Sequence, residues 1–240
     1  MTEFTVGTTD FRAGLRAVLK HAHPIADHPF LSRVRLHVGR ENLTLTATDR
    51  FSSGLAIVSI IAPDNPDSEI IDLSLDDCRS ILSEFKGGRE KNDEPEYLLS
   101  FATTREFIAV TDTSGMVDGK TLQVPRIASS DQFPDLALAL SRMRIGHVVQ
   151  FEDLVVDGER LALFKEASAV YRQPLVISSN SNAPPLLIRC AESFPGSCSP
   201  HRPDEEKQAE IDRWNQSWTY RLPDPTSEPM KPEADGETNA

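Results

Sequence analysis

Three basic side chains recur at a spacing of four residues near the start of the 240-residue chain. Arg12, Arg16 and Lys20 stand at i, i+4 and i+8, so on a helix they lie on one stripe. Guanidinium and ammonium groups in such a row can bind phosphate oxygens, which gives affinity for nucleic acid without reading its sequence. The stripe therefore predicts contact with a polyanion. The alternative is the solvated face of an amphipathic helix.

Other residue types that carry chemistry do not form a catalytic pattern. The acid pair Asp76-Asp77 stands at a predicted helix start, where carboxylates serve as caps. His21 and His23 have no cysteine or carboxylate at metal-ligand spacing, and the chain has no glycine-rich phosphate loop and no nucleophile elbow. The sequence thus predicts a protein that is not an enzyme and needs no metal or cofactor.

Composition and charge limit the function further. The net charge is −12, and residues 203–240 hold ten acidic and four basic residues. Such an acidic chain is not expected to coat nucleic acid nonspecifically, although local basic helices can still attract phosphates. Three cysteines without a CxxC pair predict no disulfide framework, and Cys78 is expected in the core. Without a leader or a long apolar run, the protein is expected to be cytoplasmic and to have no membrane partner.

The elements that must position the basic stripe follow a repeated order. Within residues 1–125, alternating apolar and polar residues predict strands, and periodic stripes predict two helices, giving β-α-β-β-β twice. Ser74 and Asp77 form a capping box at the start of the second helix. The predicted helices span 10–23 and 75–86, and the predicted strands span 2–6, 33–38, 42–49, 54–60, 69–73, 97–103, 107–112 and 121–124.

The remainder divides into a linker, a shorter unit and a tail. Residues 126–144 are predicted to be a linker, and residues 145–202 a partial domain with strands over 147–151, 175–179 and 186–190 and a helix over 157–172. Residues 203–240 are polar and acidic, which predicts disorder. One exception is open, because a helix over Glu210–Leu222 would place Trp214 and Trp218 on one face. These tryptophans are candidates for partner binding or for packing on the chain itself.

Several segments, taken in order, resemble the beta subunit (sliding clamp) of bacterial DNA polymerase III. They are NLTLTATD at 42–49, IIDLSLDDCRSILSEF at 70–85, QFPDLALAL at 132–140 and PPLLIRCAESFPGSCSPHR at 184–202. The chain resembles a shortened and divergent member of that family, with one complete domain and part of another. The resemblance implies an α+β fold of DNA clamp (processivity-fold) domains, with antiparallel sheets and two helices on one face.

The resemblance also implies a function and a set of contact residues. It implies a processivity factor that associates with duplex DNA and tethers a polymerase, with a DNA polymerase or clamp loader as partner and a homo-oligomer left open. The alternative is a clamp-derived interaction protein or regulator of replication that does not encircle DNA. The implied DNA contacts are the basic residues of three helices: Arg12, Arg16, Lys20, Arg79, Lys86, Arg160, Lys165 and Arg172.

Overall fold

In the computed structural model the protein consists of two compact units, Met1–Pro200 and His201–Ala240. The structure describes residues 2–24, 28–63, 68–88, 95–130, 132–145, 148–149, 154–180 and 183–222. Mixed helices and antiparallel strands make up the larger unit. In this described part of the chain, no helix is long and apolar enough to cross a membrane.

The first 125 residues form two halves with the same order of elements. The first half consists of β1 (Glu3–Gly7), α1 (Thr8–Leu19), β2 (Arg33–Val38), β3 (Asn42–Thr48) and β4 (Ser52–Pro63). The second half consists of β5 (Glu69–Ser74), α2 (Leu75–Glu84), β6 (Leu98–Thr103), β7 (Phe107–Asp112) and β8 (Thr121–Pro125). The β-α-β-β-β order predicted from the sequence is therefore confirmed in both halves.

The two halves exchange their leading strands. β1 pairs antiparallel with β6 of the second half, and β5 pairs antiparallel with β2 of the first half. β4 is long enough to pair with β3 and, near its end, with β1. Each half thus completes the sheet of the other, and one hydrophobic core runs through both.

Local signals explain how the two long helices begin. At α2 the Asp77 N–H donates to Ser74 Oγ at 3.0 Å, so Ser74 caps the helix as predicted. The Ser74 hydroxyl in turn donates to the Asp77 carboxylate at 2.6 Å. Cys78 is fully buried, as predicted. The expected start of α1 near residue 10 is wrong, since the helix begins at Thr8. The Thr8 N–H donates to the carbonyl of Tyr97 at 2.8 Å. This long-range bond satisfies an end of the helix that the local sequence leaves open.

The chain after residue 126 contains α3 and a third β-α-β-β-β run. The elements are α3 (Leu136–Arg144), β9 (Val148–Val149), α4 (Gly158–Ala162), α5 (Lys165–Tyr171), β10 (Leu175–Asn180), β11 (Ala183–Cys190) and β12 (Phe194–Cys198). The helix predicted over 157–172 is interrupted between α4 and α5, where the Phe164 N–H donates to Leu161 in a tight turn. Residues 147, 150 and 151 of the predicted first strand lie outside the described residues.

The third run joins the first half through one strand pair. β12 pairs antiparallel with β4, with Gly196 opposite Gly54. A Cβ on Gly196 would lie 2.5 Å from the carbonyl oxygen of Ser53, so this close approach requires glycine. We call the β4–β12 strand pair the seam. Neighbouring residues of a strand face opposite ways, so α3 covers Leu55 and Leu187 on one face of the seam, while α1 packs against Ala56 on the other face.

Two segments differ from the sequence prediction. The linker over 126–144 contains α3, whose first turn is capped by the Asp135 carboxylate. The tail predicted to be disordered contains a further helix, α6 (Glu205–Arg221). The sequence left a helix open over Glu210–Leu222, so the prediction of disorder is wrong for residues 205–209. Asp204 caps α6 by accepting from the Lys207 N–H at 2.8 Å, a local signal that the overall composition of the tail conceals. Residues 223–240 lie outside the described residues.

Candidate nucleic-acid interface

Three helices of the larger unit lie side by side, with α1 in the middle. α1 contacts α5 along one flank and α2 along the other. An ion pair joins α1 to α5, with Arg16 Nη2 at 2.5 Å from Glu166 Oε1. We call α2, α1, α4 and α5, together with the one or two residues that follow each helix, the helix row, since they carry every basic residue that the resemblance assigns to DNA.

Arg12 has a structural role within the helix row. Its guanidinium donates to the carbonyl oxygens of Leu82 and Phe85 at the end of α2. Burial lowers the pKa of Arg12, and the charge of Arg16 lowers it further. Because these carbonyls have no partner within their own helix, Arg12 caps α2 from a neighbouring element. Its hydrogen bonds hold two helices together instead of leaving the group free for phosphate.

Three other predicted DNA contacts have carboxylate partners. Besides the Arg16–Glu166 pair, Arg79 Nη1 lies 2.6 Å from Asp76 and Arg160 Nε lies 3.7 Å from Asp157. The Arg160 guanidinium also lies 4.0 Å from the centre of the Phe51 ring. The sequence spacing predicted a basic stripe, but it could not show that these charges are partly neutralised.

The remaining four predicted contacts are available to solvent. Lys20, Lys86, Lys165 and Arg172 are exposed and make no ion pair with any residue that the structure describes. Arg172 ends α5 in the left-handed region with φ 53°, which turns the chain away from the helix. It lines a pocket between α1 and α5 together with other residues of both helices and a glycine pair: Thr9, Arg12, Ala13, Arg16, Gly87, Gly88, Ala169 and Val170.

The charge of the helix row is nearly balanced. Residues 8–20, 75–86 and 157–172 together carry eight basic and seven acidic residues. A phosphate backbone near this surface would contact a few exposed basic side chains that lie among residues joined in ion pairs. The electrostatic attraction between the DNA and this surface is therefore weak and sensitive to salt. Such a surface is suited to loose contact rather than to a tight complex.

The sequence analysis missed the most buried charged cluster. Asp72 is fully buried and accepts from Arg33 Nη1 and from Arg35 Nε, each at 2.8 Å. The same arginines donate to the carbonyls of Ala128 and Ser130, which holds the segment before α3 against β2. Alternation places both arginines on one face of β2, but the opposing Asp72 becomes evident only from the β2–β5 register.

The remaining candidate residues are His21 and the two tryptophans of α6. His21 is buried against the rings of Phe164 and Phe194, and no group of three His, Cys, Asp or Glu among the described residues could hold a metal. In the second unit, Trp214 and Trp218 are about half exposed on α6, with the Lys207 ammonium 4.6 Å from the Trp214 ring centre.

Comparison with known proteins identifies the fold. No protein-family model matches the sequence, and no curated protein sequence matches it either. Among solved structures, the DNA polymerase III beta subunit of Thermotoga maritima matches with a TM-score of 0.62 at 10% identity, covering 86% of this chain and 67% of that one. The chain has the sliding-clamp fold.

Further structures agree with this assignment. A putative DNA polymerase III beta subunit from Eubacterium rectale gives a TM-score of 0.61 at 11% identity, covering 88% of this chain and 67% of that one. The sliding clamp of Bacillus subtilis gives 0.59 at 13% identity, covering 84% and 64%. The predicted α+β clamp fold is therefore confirmed, in a shortened and divergent form.

Proposed function

We propose that the protein is a sliding-clamp-like processivity factor that associates with duplex DNA and tethers a DNA polymerase in a bacterial or phage cytoplasm. The observation that carries the proposal is the helix row of a clamp fold presenting Lys20, Lys86, Lys165 and Arg172 to solvent. The proposed role is one of binding and holding, with no catalytic step.

The proposed DNA contact is electrostatic and weak. Each phosphate neutralised by a basic side chain releases counterions, so the logarithm of the binding constant falls with the logarithm of salt by roughly 0.9 per contact. The ion pairs of Arg16, Arg79 and Arg160 keep most guanidinium groups from adding to this number. Loose contacts of this kind let a protein slide along DNA.

The proposed partner surface is the exposed aromatic face of α6. Trp214 and Trp218 stand one turn apart on this helix, and paired aromatic anchors at that spacing fit an apolar groove. We assign this face to a polymerase or a clamp loader, so that DNA and protein partners would contact different units of the chain.

The salt dependence of DNA binding tests the proposal. The double variant Lys20→Glu/Arg172→Glu should weaken binding to a short duplex at low salt and make the salt slope shallower by about 2, because two phosphate contacts are lost. Fluorescence anisotropy across a salt series measures both quantities. The matched control is Arg40→Glu/Arg105→Glu, which makes the same charge change at two exposed residues in hairpin turns outside the helix row.

The control decides between site-specific and general charge effects. Equal weakening by both double variants would show that net charge alone governs binding, and the helix row would lose its assigned role. Binding that neither variant changes would also contradict the proposal. A greater effect of the helix-row variant, with the shallower slope, supports it.

A second candidate function is a clamp-derived interaction protein or regulator of replication that does not encircle DNA. The nearly balanced charge of the helix row and the net charge of −12 favour this alternative. It predicts no measurable affinity for duplex DNA even at low salt, together with binding to a polymerase, a loader or a complete clamp that is lost in the variant Trp214→Ala/Trp218→Ala.

A further inference from the structure

Aromatic rings and cations follow one another along one part of the surface. The ring centres of His23 and His28 lie 4.9 Å apart, and the ring centre of Phe30 lies 6.0 Å from that of His28. The Arg50 guanidinium lies 5.7 Å from the centre of the Phe30 ring. All four side chains are partly or largely exposed. These contacts link the connection between α1 and β2 to the tip of the β3–β4 hairpin.

The tip of the hairpin extends this series of contacts to the helix row. Phe51 follows Arg50 in sequence and is 49% exposed, and the Arg160 guanidinium of α4 lies 4.0 Å from the centre of the Phe51 ring. The next basic residue after Arg160 is the exposed Lys165 of α5. We call six side chains the aromatic track: His23, His28, Phe30, Arg50, Phe51 and Arg160. The aromatic track therefore ends at the basic surface to which duplex DNA is assigned.

The backbone holds Phe51 in place at the tip of the hairpin. The Phe51 N–H donates to Asp49 Oδ1 at 2.9 Å, and the Phe51 carbonyl oxygen accepts from the Ser199 N–H at 2.8 Å. Arg50 has φ 80°, in the left-handed region that favours glycine. Residues other than glycine are uncommon in that region, and where they occur they cluster at binding sites. The turn thus presents an exposed guanidinium and an exposed ring side by side.

The carboxylates beside the aromatic track leave its guanidinium groups able to bind an anion. Asp49 accepts hydrogen bonds within its own turn, from the Phe51 N–H and from the N–H and hydroxyl of Ser52. Asp157 lies 3.7 Å from Arg160 Nε, so it engages only one of the five N–H groups of that guanidinium. Arg50 makes no ion pair with any residue in the described part of the chain. The track is therefore both aromatic and positively charged.

Such a combination suits single-stranded nucleic acid. Unpaired bases expose faces that stack on aromatic rings, while cations near the rings neutralise the phosphates. In a duplex these faces are covered by the neighbouring base pairs, so exposed rings of this kind serve unpaired bases. Because the aromatic track ends at the helix row, one DNA strand can pass from a duplex on the helix row to the track.

We propose that the aromatic track binds the unpaired bases at a junction between single-stranded and double-stranded DNA, while the helix row holds the duplex. This inference rests on the proposed function, since it names the form of DNA that the same surface prefers. Phe30 and Phe51 are the stacking rings, and Arg50 and Arg160 contact the phosphates of the single strand.

Fluorescent probes that share one duplex test the proposal by anisotropy at low salt. One probe is blunt, one carries a short single-stranded overhang, and one carries an overhang of abasic nucleotides with the same number of phosphates. The wild-type chain should bind the base-bearing overhang about tenfold more tightly than the abasic one, since stacking of one base on an aromatic side chain changes affinity by about 5- to 150-fold. Overhangs of both polarities are compared.

Variants of Phe51 test whether its ring is the source of the preference. Phe51→Ala should reduce the preference for the base-bearing overhang by about fivefold or more. Phe51→Leu keeps an apolar side chain without an aromatic face, so it should lose the preference as Phe51→Ala does. The matched control is Tyr220→Ala, which removes a ring that is 88% exposed on α6 and should keep the preference. Thermal unfolding checks that each variant is folded.

The outcomes separate this proposal from the proposed function. Equal affinity for the base-bearing and abasic overhangs, with binding of the blunt duplex that depends on Lys20 and Arg172, would overturn the aromatic track and keep the clamp-like function. A preference that survives in both Phe51 variants, or that Tyr220→Ala removes to the same extent, would also overturn the aromatic track. Binding to none of the probes would contradict both proposals.

Discussion

His21 is a buried base at the seam between β4 and β12. Its ring lies 4.6 Å from that of Phe164, and its Nδ1 lies 3.2 Å from Ser52 Oγ. Burial lowers the pKa of His21 to about 4, although the nearby charge of Asp49 acts in the opposite direction. The seam therefore depends on an imidazole that stays neutral.

Acidification should weaken the fold through this residue. Between pH 6.5 and pH 4 the unfolded chain binds a proton at His21 that the native state does not bind, so the free energy of unfolding falls as the pH falls, by up to about 3 kcal/mol. Above pH 6.5 the contribution is fully present. Urea unfolding at pH 7 and pH 4.5 should show a smaller loss in His21→Gln than in the wild type. Equal losses would mean that other groups account for the acid sensitivity.

Arg12 and Arg16 should differ in their effect on stability although both lie on the same stripe. Arg12→Gln removes hydrogen bonds from partly buried carbonyls at the end of α2 and should cost about 1–3 kcal/mol. Arg16→Gln breaks a half-exposed ion pair with Glu166 and should cost less than about 1 kcal/mol. Denaturant unfolding measures both values. A cost for Arg16→Gln that equals that of Arg12→Gln would show that the helix cap is unimportant.

At the scale of elements, most strands and helix starts could be predicted because their signals are local. Alternation in RVRLHV and the Ser74–Asp77 cap each lie within a few residues, and the structure confirms both. The break between α4 and α5 could not be predicted, since Phe164 leaves the helix to pack beside His21, far away in sequence. Distant partners likewise determine the role of Arg12.

The helix α6 should be dispensable for the folding of the larger unit. It belongs to the separate unit His201–Ala240. Deleting residues 204–240 should leave the cooperative thermal transition in place, with a midpoint within a few degrees of that of the full chain, as calorimetry can check. Loss of the transition would show that the tail stabilises the core, and the assignment of Trp214 and Trp218 to a partner would lose its basis.

At the scale of the whole molecule, the sequence predicted the clamp fold, but it predicted separate domains where the structure has one compact unit. Composition suggested a break between residues 125 and 145, whereas Met1–Pro200 forms one compact unit. The join depends on Gly196, where a Cβ would lie 2.5 Å from the carbonyl oxygen of Ser53, and on Gly54, where a Cβ would lie 2.6 Å from Cδ2 of His21. A glycine in a strand has many possible reasons, so the sequence alone could not identify this pair as a contact.

During translation β4 is synthesised well before its partner strand β12. The complete domain has all of its residues once Pro125 has left the ribosome, but β12 ends at Cys198. At a synthesis rate of about 5–20 residues per second, the interval lasts roughly 4–15 s. During that interval the edge of β4 around Gly54 is uncovered on every nascent chain, and neighbouring chains on one messenger carry the same open edge. This edge therefore needs protection while the chain is being translated, although β12 covers it in the folded protein.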